Sequence, residues 1–242
     1  MASIADSLRL VRERIAEAAL RAGRTPESVL LVAVSKTMPP EVVREAFEAG
    51  QRDFGENRVE EALPKMRTVG HDEQLRWHMI GHVQSRKARD VAGAFVLVHS
   101  VDSLKLARKL NDHVPEGRAQ EVLLECNVSG EASKYGFALH GWEHDAARFE
   151  AFAQEVAAIL ALPRLRVRGL MTMAPIVEAP EQARPFFASL RALRDALRAR
   201  FPDQPEATFE HLSMGMTDDF EAAIAEGATI VRIGRAIFGA RA

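Results

Sequence analysis

Cys126 is the only cysteine in the 242 residues, which excludes an internal disulfide and a zinc site built on cysteines. Such sparse use suits a reducing compartment, so a cytoplasmic location is expected. No stretch of 18 apolar residues occurs, and no membrane span is expected. The first ten residues carry Asp6 and Arg9 within a helical pattern. They lack the basic start and unbroken apolar stretch of a signal peptide. Charge of one sign is also missing: 32 Lys and Arg stand against 34 Asp and Glu, for a formal net charge of −2. That leaves no electrostatic footprint for nucleic acid or an anionic membrane. Neither a Walker A loop nor a G-x-G-x-x-G is present, and no serine sits in a nucleophile elbow. His78 and His82 have the i,i+4 spacing of helical metal ligands, but they fall on a strand pattern without a third ligand nearby. No metal is therefore expected.

What is present is an alternation of short β-branched runs with longer amphipathic ones. The run VLLVAV at 29–34 is continuously apolar, as expected of a parallel strand buried on both faces. Further strands are expected at 52–54, 77–80, 95–98, 122–126, 167–171, 208–212 and 229–233. Helical spacing fills the gaps at 41–49, 58–66, 85–91, 103–110, 143–160, 181–200 and 220–226, and one more helix, 4–22, leads the chain. Eight strand and helix units fit a parallel sheet closed into a (β/α)₈ TIM barrel, which takes about 250 residues. An open doubly wound sheet is the structural rival. No Gly/Ser/Pro-rich linker divides the chain, so residues 1–242 read as one domain, expected to be a monomer.

In such a barrel the carboxyl ends of the strands form the active face. Those positions hold Lys36, Glu56, Asn57, His78, Ser100, Asp102, Asn127, Thr172, Ser213, Gly215, Arg232 and Gly234. Strands commonly end in polar turns, and that alone accounts for most of these positions. Lys36 directly follows VLLVAVS. A lysine there either snorkels to solvent or loses hydration and exposes a nucleophilic amine of the kind that condenses with an aldehyde. The segment HLSMGMTDDF at 211–220 runs from a strand into a helix, where barrels often hold phosphate. Ser213 offers a hydroxyl there, Gly215 offers close backbone approach, and Thr217 or Asp218 is expected to cap the helix. Arg232 is expected to point into the mouth or to pair with a helix carboxylate, and Gly234 offers a second close approach. The methionines at 171, 173, 214 and 216 read as adaptable packing.

Seven segments stand in order along the chain: VAVSKT around Lys36, FGENR at 54–58, WHMIGHVQ at 77–84, SKYGF at 133–137, GLMTMAP at 169–175, LSMGMTDDFEAAIAEG at 212–227 and VRIGRAIFG at 231–239. Together they closely resemble the pyridoxal phosphate homeostasis protein family, stand-alone relatives of the alanine racemase N-terminal barrel. The resemblance runs from about residue 29 to the end. It implies pyridoxal 5′-phosphate as cofactor, with Lys36 as the Schiff-base lysine. Ser213, with the backbone around Gly215 and 232–234, is implied to hold the phosphate. Asn57, His78 and Met171 are implied to line the cofactor, and Arg232 to lie near its pyridine ring. One departure is visible, since the family's Q-x-N-K reads Gln84-Ser-Arg-Lys87 here, with Arg86 in place of asparagine.

The implied function is a carrier or regulator that holds a reactive aldehyde and releases it to apo-enzymes dependent on it, without catalysis of its own. Two enzyme readings stand against it: an amino-acid racemase, and a phosphosugar enzyme using Lys36 as an aldolase-type amine. Racemisation needs a second proton-transfer group on the opposite face. In the alanine racemases a tyrosine from a further domain supplies it, and no such domain is expected within these 242 residues. The chain's one tyrosine, Tyr135, is expected to pack in the core or on the rim.

Overall fold

A computed structural model describes residues 3–204 and 207–239. Its strands are β1 (Leu30–Val34), β2 (Asp53–Glu56), β3 (Arg76–Met79), β4 (Leu97–Val101), β5 (Gln120–Asn127), the two-residue β6 (Phe137–Ala138), β7 (Leu165–Met171), β8 (Ala207–Ser213) and β9 (Ile230–Ile233). All pairings are parallel. β1 joins β2 on one side and β9 on the other, and β4 joins β5. The ring β1-β2-β3-β4-β5-β7-β8-β9 therefore closes on itself, with β6 beside β5 outside it. Closure rules out the open doubly wound sheet and establishes an eight-stranded parallel barrel.

The surrounding helices are α1 (Ile4–Arg21), α2 (Pro40–Glu48), α3 (Val59–Val69), α4 (Ala88–Val91), α5 (Leu104–His113), α6 (Ala146–Leu160), α7 (Arg184–Arg200), α8 (Phe220–Ala225) and α9 (Arg235–Phe238). The extra helix α1 starts where the Ser3 hydroxyl accepts a hydrogen bond from the Asp6 amide. It buries Leu8, Val11, Ile15, Ala18 and Ala19, one stripe at helical spacing, and packs on α2, α8 and α9. Three expected helices begin late because their first turns are 3₁₀: 85–87 before α4, 142–144 before α6 and 180–183 before α7. β4 extends from 97 to 101, beyond the expected 95–98, because His99 and Ser100 find buried partners inside the fold.

Two apolar cores result. The larger lies between strands and helices. The smaller fills the barrel lumen with Val32, Leu97, Leu123, Met171 and Ile230. Side chains alternate along a strand, so Leu30, Val32 and Val34 share the lumen side of β1, and position 36 continues their parity. Ser35, of opposite parity, faces α3. The lumen core is small because much of the lumen is polar.

Candidate functional site

The end of β1 is anchored from outside the barrel. Ser35 donates its hydroxyl hydrogen to Glu56 Oε1 at 2.7 Å, and Lys65 of α3 donates to both Glu56 Oε1 and the Ser35 carbonyl at 2.8 Å. Glu56 and Ser35 are wholly buried and Lys65 nearly so. Breaking one partner of such a pair strands a buried charge, so this clamp holds the exit of β1 in place. Lys36 and Thr37 then form a turn closed by the Met38 amide on the Ser35 carbonyl at 3.0 Å. Lys36 is half-buried. Thr37 has φ +65°, an unusual conformation for a β-branched residue, so the turn that presents Lys36 is held by its surroundings and not by local preference.

Below the mouth a hydrogen-bonded chain crosses the lumen. Arg232 Nη1 donates to Ser213 Oγ at 2.7 Å, and Ser213 Oγ lies 2.8 Å from His99 Nδ1. His99 Nε2 lies 3.0 Å from His78 Nδ1, and His78 Nε2 lies 2.9 Å from Asp53 Oδ1. Asp53 is gripped in turn by Arg76, through Nε at 2.7 Å and Nη2 at 2.5 Å. Arg232 Nη2 also donates to the Thr172 carbonyl at 3.0 Å. β4 and β8 are not neighbours in the ring, so the His99–Ser213 bond spans the lumen and ties opposite walls together.

The electrostatics follow from burial. Desolvation, reinforced by His78, Arg232 and His211, pushes the His99 imidazole well below its ordinary range, so it is neutral. Burial opposes ionisation of Asp53, but hydrogen bonds from His78 and Arg76 outweigh it and keep the carboxylate charged. Desolvation brings Arg232 down to about 10 against the pull of Asp219 and Glu125, and it stays protonated at neutral pH. On β5, across the ring from β1, burial and the nearby Asp102 push Glu125 up to about 7, with Arg232 opposing them.

Each expected site residue has a definite place. Met171 lies in the lumen core, under the mouth. His78 is buried with both ring nitrogens engaged. Ser213 is buried with its hydroxyl shared between Arg232 and His99. Asn57 is half-buried just past β2, and its Oδ1 is buried without a partner. Gly215 has φ +93°, and a Cβ there would lie 2.6 Å from Ala223 Cβ. A Cβ on Gly234 would lie 3.1 Å from the Val34 carbonyl oxygen. Packing of the turn after β8 thus demands Gly215, whereas at Gly234 the neighbour would have to give by a few tenths of an ångström.

Two expectations about this region change. Neither Thr217 nor Asp218 caps α8: Asp219 Oδ1 accepts from the Met216 amide at 2.6 Å, and Asp218 pairs with Arg235. Arg232 takes no helix carboxylate as partner and bonds Ser213 and Thr172 instead. Arg86 is exposed and bonds Gln84 on the 3₁₀ turn before α4. Tyr135 lies on the rim, half exposed and stacked on His82 at 3.7 Å between centroids. Sequence reasoning missed His99, Glu125 and Lys65. The signal for His99 was a histidine inside the apolar run LVHSV, and for Glu125 an acid inside VLLEC.

Around the mouth, two buried oxygens lack partners: Asn57 Oδ1 and Glu125 Oε2. Native structures leave few such groups orphaned, and those that remain call for an explanation such as a ligand. A buried guanidinium, an amine-bearing turn and unpaired acceptors on opposite walls suit a small molecule that brings an anionic group, hydrogen-bond donors and a carbonyl. The set fits pyridoxal 5′-phosphate.

This architecture defines a class before it defines a member. The alanine racemase N-terminal domain profile matches residues 8–242. At the level of fold, the alanine racemase of Corynebacterium glutamicum superposes with a TM-score of 0.65 at 17% identity, over 98% of this chain and 61% of that one. Within the class the likeness is much tighter. The pyridoxal phosphate homeostasis protein of Pseudomonas aeruginosa is 48% identical over 100% of this chain and 97% of its own. PipY of Synechococcus elongatus, solved with PLP bound, is 34% identical, with a TM-score of 0.81 over 98% of this chain and 100% of that one. The chain belongs to the pyridoxal phosphate homeostasis protein family.

Proposed function

We propose that the protein binds pyridoxal 5′-phosphate at the barrel mouth as a Schiff base on Lys36, and acts as a carrier that keeps the aldehyde bound and releases it to apo-enzymes. The observation that carries this reading is the meeting of Lys36 with the buried Arg232 and the orphaned Asn57 Oδ1 and Glu125 Oε2 at one mouth. The PLP-bound PipY and the naming of relatives for pyridoxal phosphate homeostasis support it. When bound, the group supplies a reactive aldehyde and, in enzymes, an electron sink.

In this reading Lys36 offers the amine, and the Ser35–Glu56–Lys65 clamp fixes its turn. Ser213 with the backbone around Gly215 and 232–234 holds the phosphate, Asn57 lines the mouth, and His78 and Met171 form the floor beneath. Arg232, fixed by Ser213 and the Thr172 carbonyl, presents a permanent positive charge to the pyridine side. That charge disfavours a further proton on the ring. The Tyr135 ring is committed to its stack on His82 at the rim. The reading is of a carrier without amino-acid turnover.

Borohydride treatment of the protein loaded with pyridoxal 5′-phosphate, followed by peptide mapping, tests the attachment. Label on Lys36, absent from a folded Lys36→Ala variant, is expected. Label on another lysine, or undiminished label in the variant, overturns it. No interconversion of alanine or serine enantiomers is expected, and Lys36-dependent multiple turnovers would replace the carrier with a racemase.

A further inference from the structure

The chain through the lumen has a direction. Arg232 can only donate to Ser213 Oγ and the ionised Asp53 can only accept from His78 Nε2, so with both imidazoles neutral one arrangement joins them, in which Ser213 gives its own hydrogen to His99 Nδ1. His99 is neutral, so its hydrogen sits on Nε2 and goes to His78 Nδ1. His78 then carries its hydrogen on Nε2, facing the Asp53 carboxylate. Every hydrogen points from the mouth toward Asp53, and none is left on Ser213 for a ligand.

A phosphate is an acceptor. For Ser213 to donate to it, the chain must turn round or break. We propose that phosphate binding at Ser213 reverses this chain and takes up one proton from solvent, which comes to rest on His78 beside Asp53. Ser213's hydrogen passes to His99 Nδ1, the hydrogen on His99 Nε2 passes to His78 Nδ1, and the incoming proton restores the Ser213 hydroxyl, now aimed at the phosphate. His99 ends neutral in its other tautomer, and His78 ends as an imidazolium against the Asp53 carboxylate. His99 and Asp53 are thereby positioning residues for the mouth, although neither touches the ligand.

The surroundings allow this resting place and no other in the chain. His78 faces Asp53 from β2, His99 from β4 and, at longer range, His211 from β8, with Arg76 on its own strand beyond Asp53. His99 faces His78, Arg232 and His211, all adverse to a charge on its ring. Asp53 is the anion hydrogen-bonded to a histidine of the chain, whereas Glu125 and Asp219 act on Arg232 at its other end. Asp53 and Arg76 also line a cavity of about 390 Å³ at the amino-terminal end of the barrel, so the charged end of the chain lies away from the mouth.

The proposal rests on the reading that Ser213 contacts the phosphate, and its test separates the two. Calorimetric titration with pyridoxal 5′-phosphate in buffers of different ionisation enthalpy counts protons bound per ligand. Wild type is expected to take up about one proton more than His99→Asn, whose amide can turn to donate to Ser213 without a proton. In the alkaline range the affinity of wild type then rises about tenfold per pH unit lost, relative to the variant. Pyridoxal without phosphate is expected to give equal counts for the two proteins. Ring ¹⁵N shifts of wild-type histidines report the tautomers directly: His99 should change from Nε2–H to Nδ1–H on addition of pyridoxal 5′-phosphate. Equal proton counts, or an unchanged His99 tautomer, overturns the relay, and the tautomer measurement needs no variant. If Ser213→Ala weakens pyridoxal 5′-phosphate and pyridoxal equally, the phosphate contact itself is lost, while label on Lys36 still tests the carrier reading.

Discussion

The middle of the barrel lumen and its mouth are both polar and both buried, yet they are built on opposite rules. In the middle, Asp53, His78, His99, Ser213 and Arg232 each find partners within 3.0 Å. At the mouth, Asn57 Oδ1 and Glu125 Oε2 have none. A satisfied buried network holds the fold in one arrangement, whereas an unsatisfied one is destabilising until something binds. The contrast teaches where the protein stores its stability and where it keeps room for a ligand.

The contrast is broken most severely from the satisfied side. Asp53→Leu leaves Arg76 and His78 facing a methyl group, and removal of one partner from such a network is expected to lower stability by about 3–5 kcal/mol. Urea unfolding at neutral pH measures it. A loss below about 1 kcal/mol would mean that the lumen chain does not hold the barrel together.

The unsatisfied side gives the opposite sign. Glu125 rises from 4.5 to about 7 on folding, chiefly through burial. The native state then holds a proton that the unfolded state has lost between those values, so stability falls as pH rises through that window. At about 1.4 kcal/mol per unit, the loss is about 3 kcal/mol by pH 8. Glu125→Gln should remove this slope and be the more stable protein at pH 8. Parallel pH profiles of wild type and variant would sink the idea.

The smallest effect sharpens the boundary of the site. Arg86 is exposed and touches only Gln84 among the bonds described. Arg86→Ala is expected to change stability by no more than about 0.5 kcal/mol and to leave ligand affinity alone. A tenfold change in affinity would extend the site to the turn before α4.

Much of this was legible without coordinates. The continuous apolar run at 29–34 read as a doubly buried strand, and eight alternating units fitted a barrel, with an open doubly wound sheet as the rival. Lys36 followed β1 at the place where barrels carry chemistry, and the glycines 215 and 234 marked turns. Less legible were the residues whose meaning depends on who stands opposite. His99 fell just past the expected strand 95–98 and drew no reading, because nothing in local order says that β4 faces β8 across the lumen. Glu125 read as part of β5, since its perturbation comes from burial in the closed barrel and from Asp102, 23 residues before it, opposed by Arg232, 107 after it. Arg232 had two candidate roles by pattern, facing the mouth or pairing with a helix carboxylate, and the fold buries it in the lumen against Ser213 and Thr172.

Local chemistry therefore settled the elements of this protein. Hydrophobic period, turn residues and strand-end polarity act between near neighbours, and they determined β strands, helices and the position of Lys36. Closure of the ring decided the rest. Only when β1 met β9, and β4 met β5, did side chains far apart in sequence enter one small volume of low dielectric, where hydrogen-bond direction and charge depend on every neighbour at once.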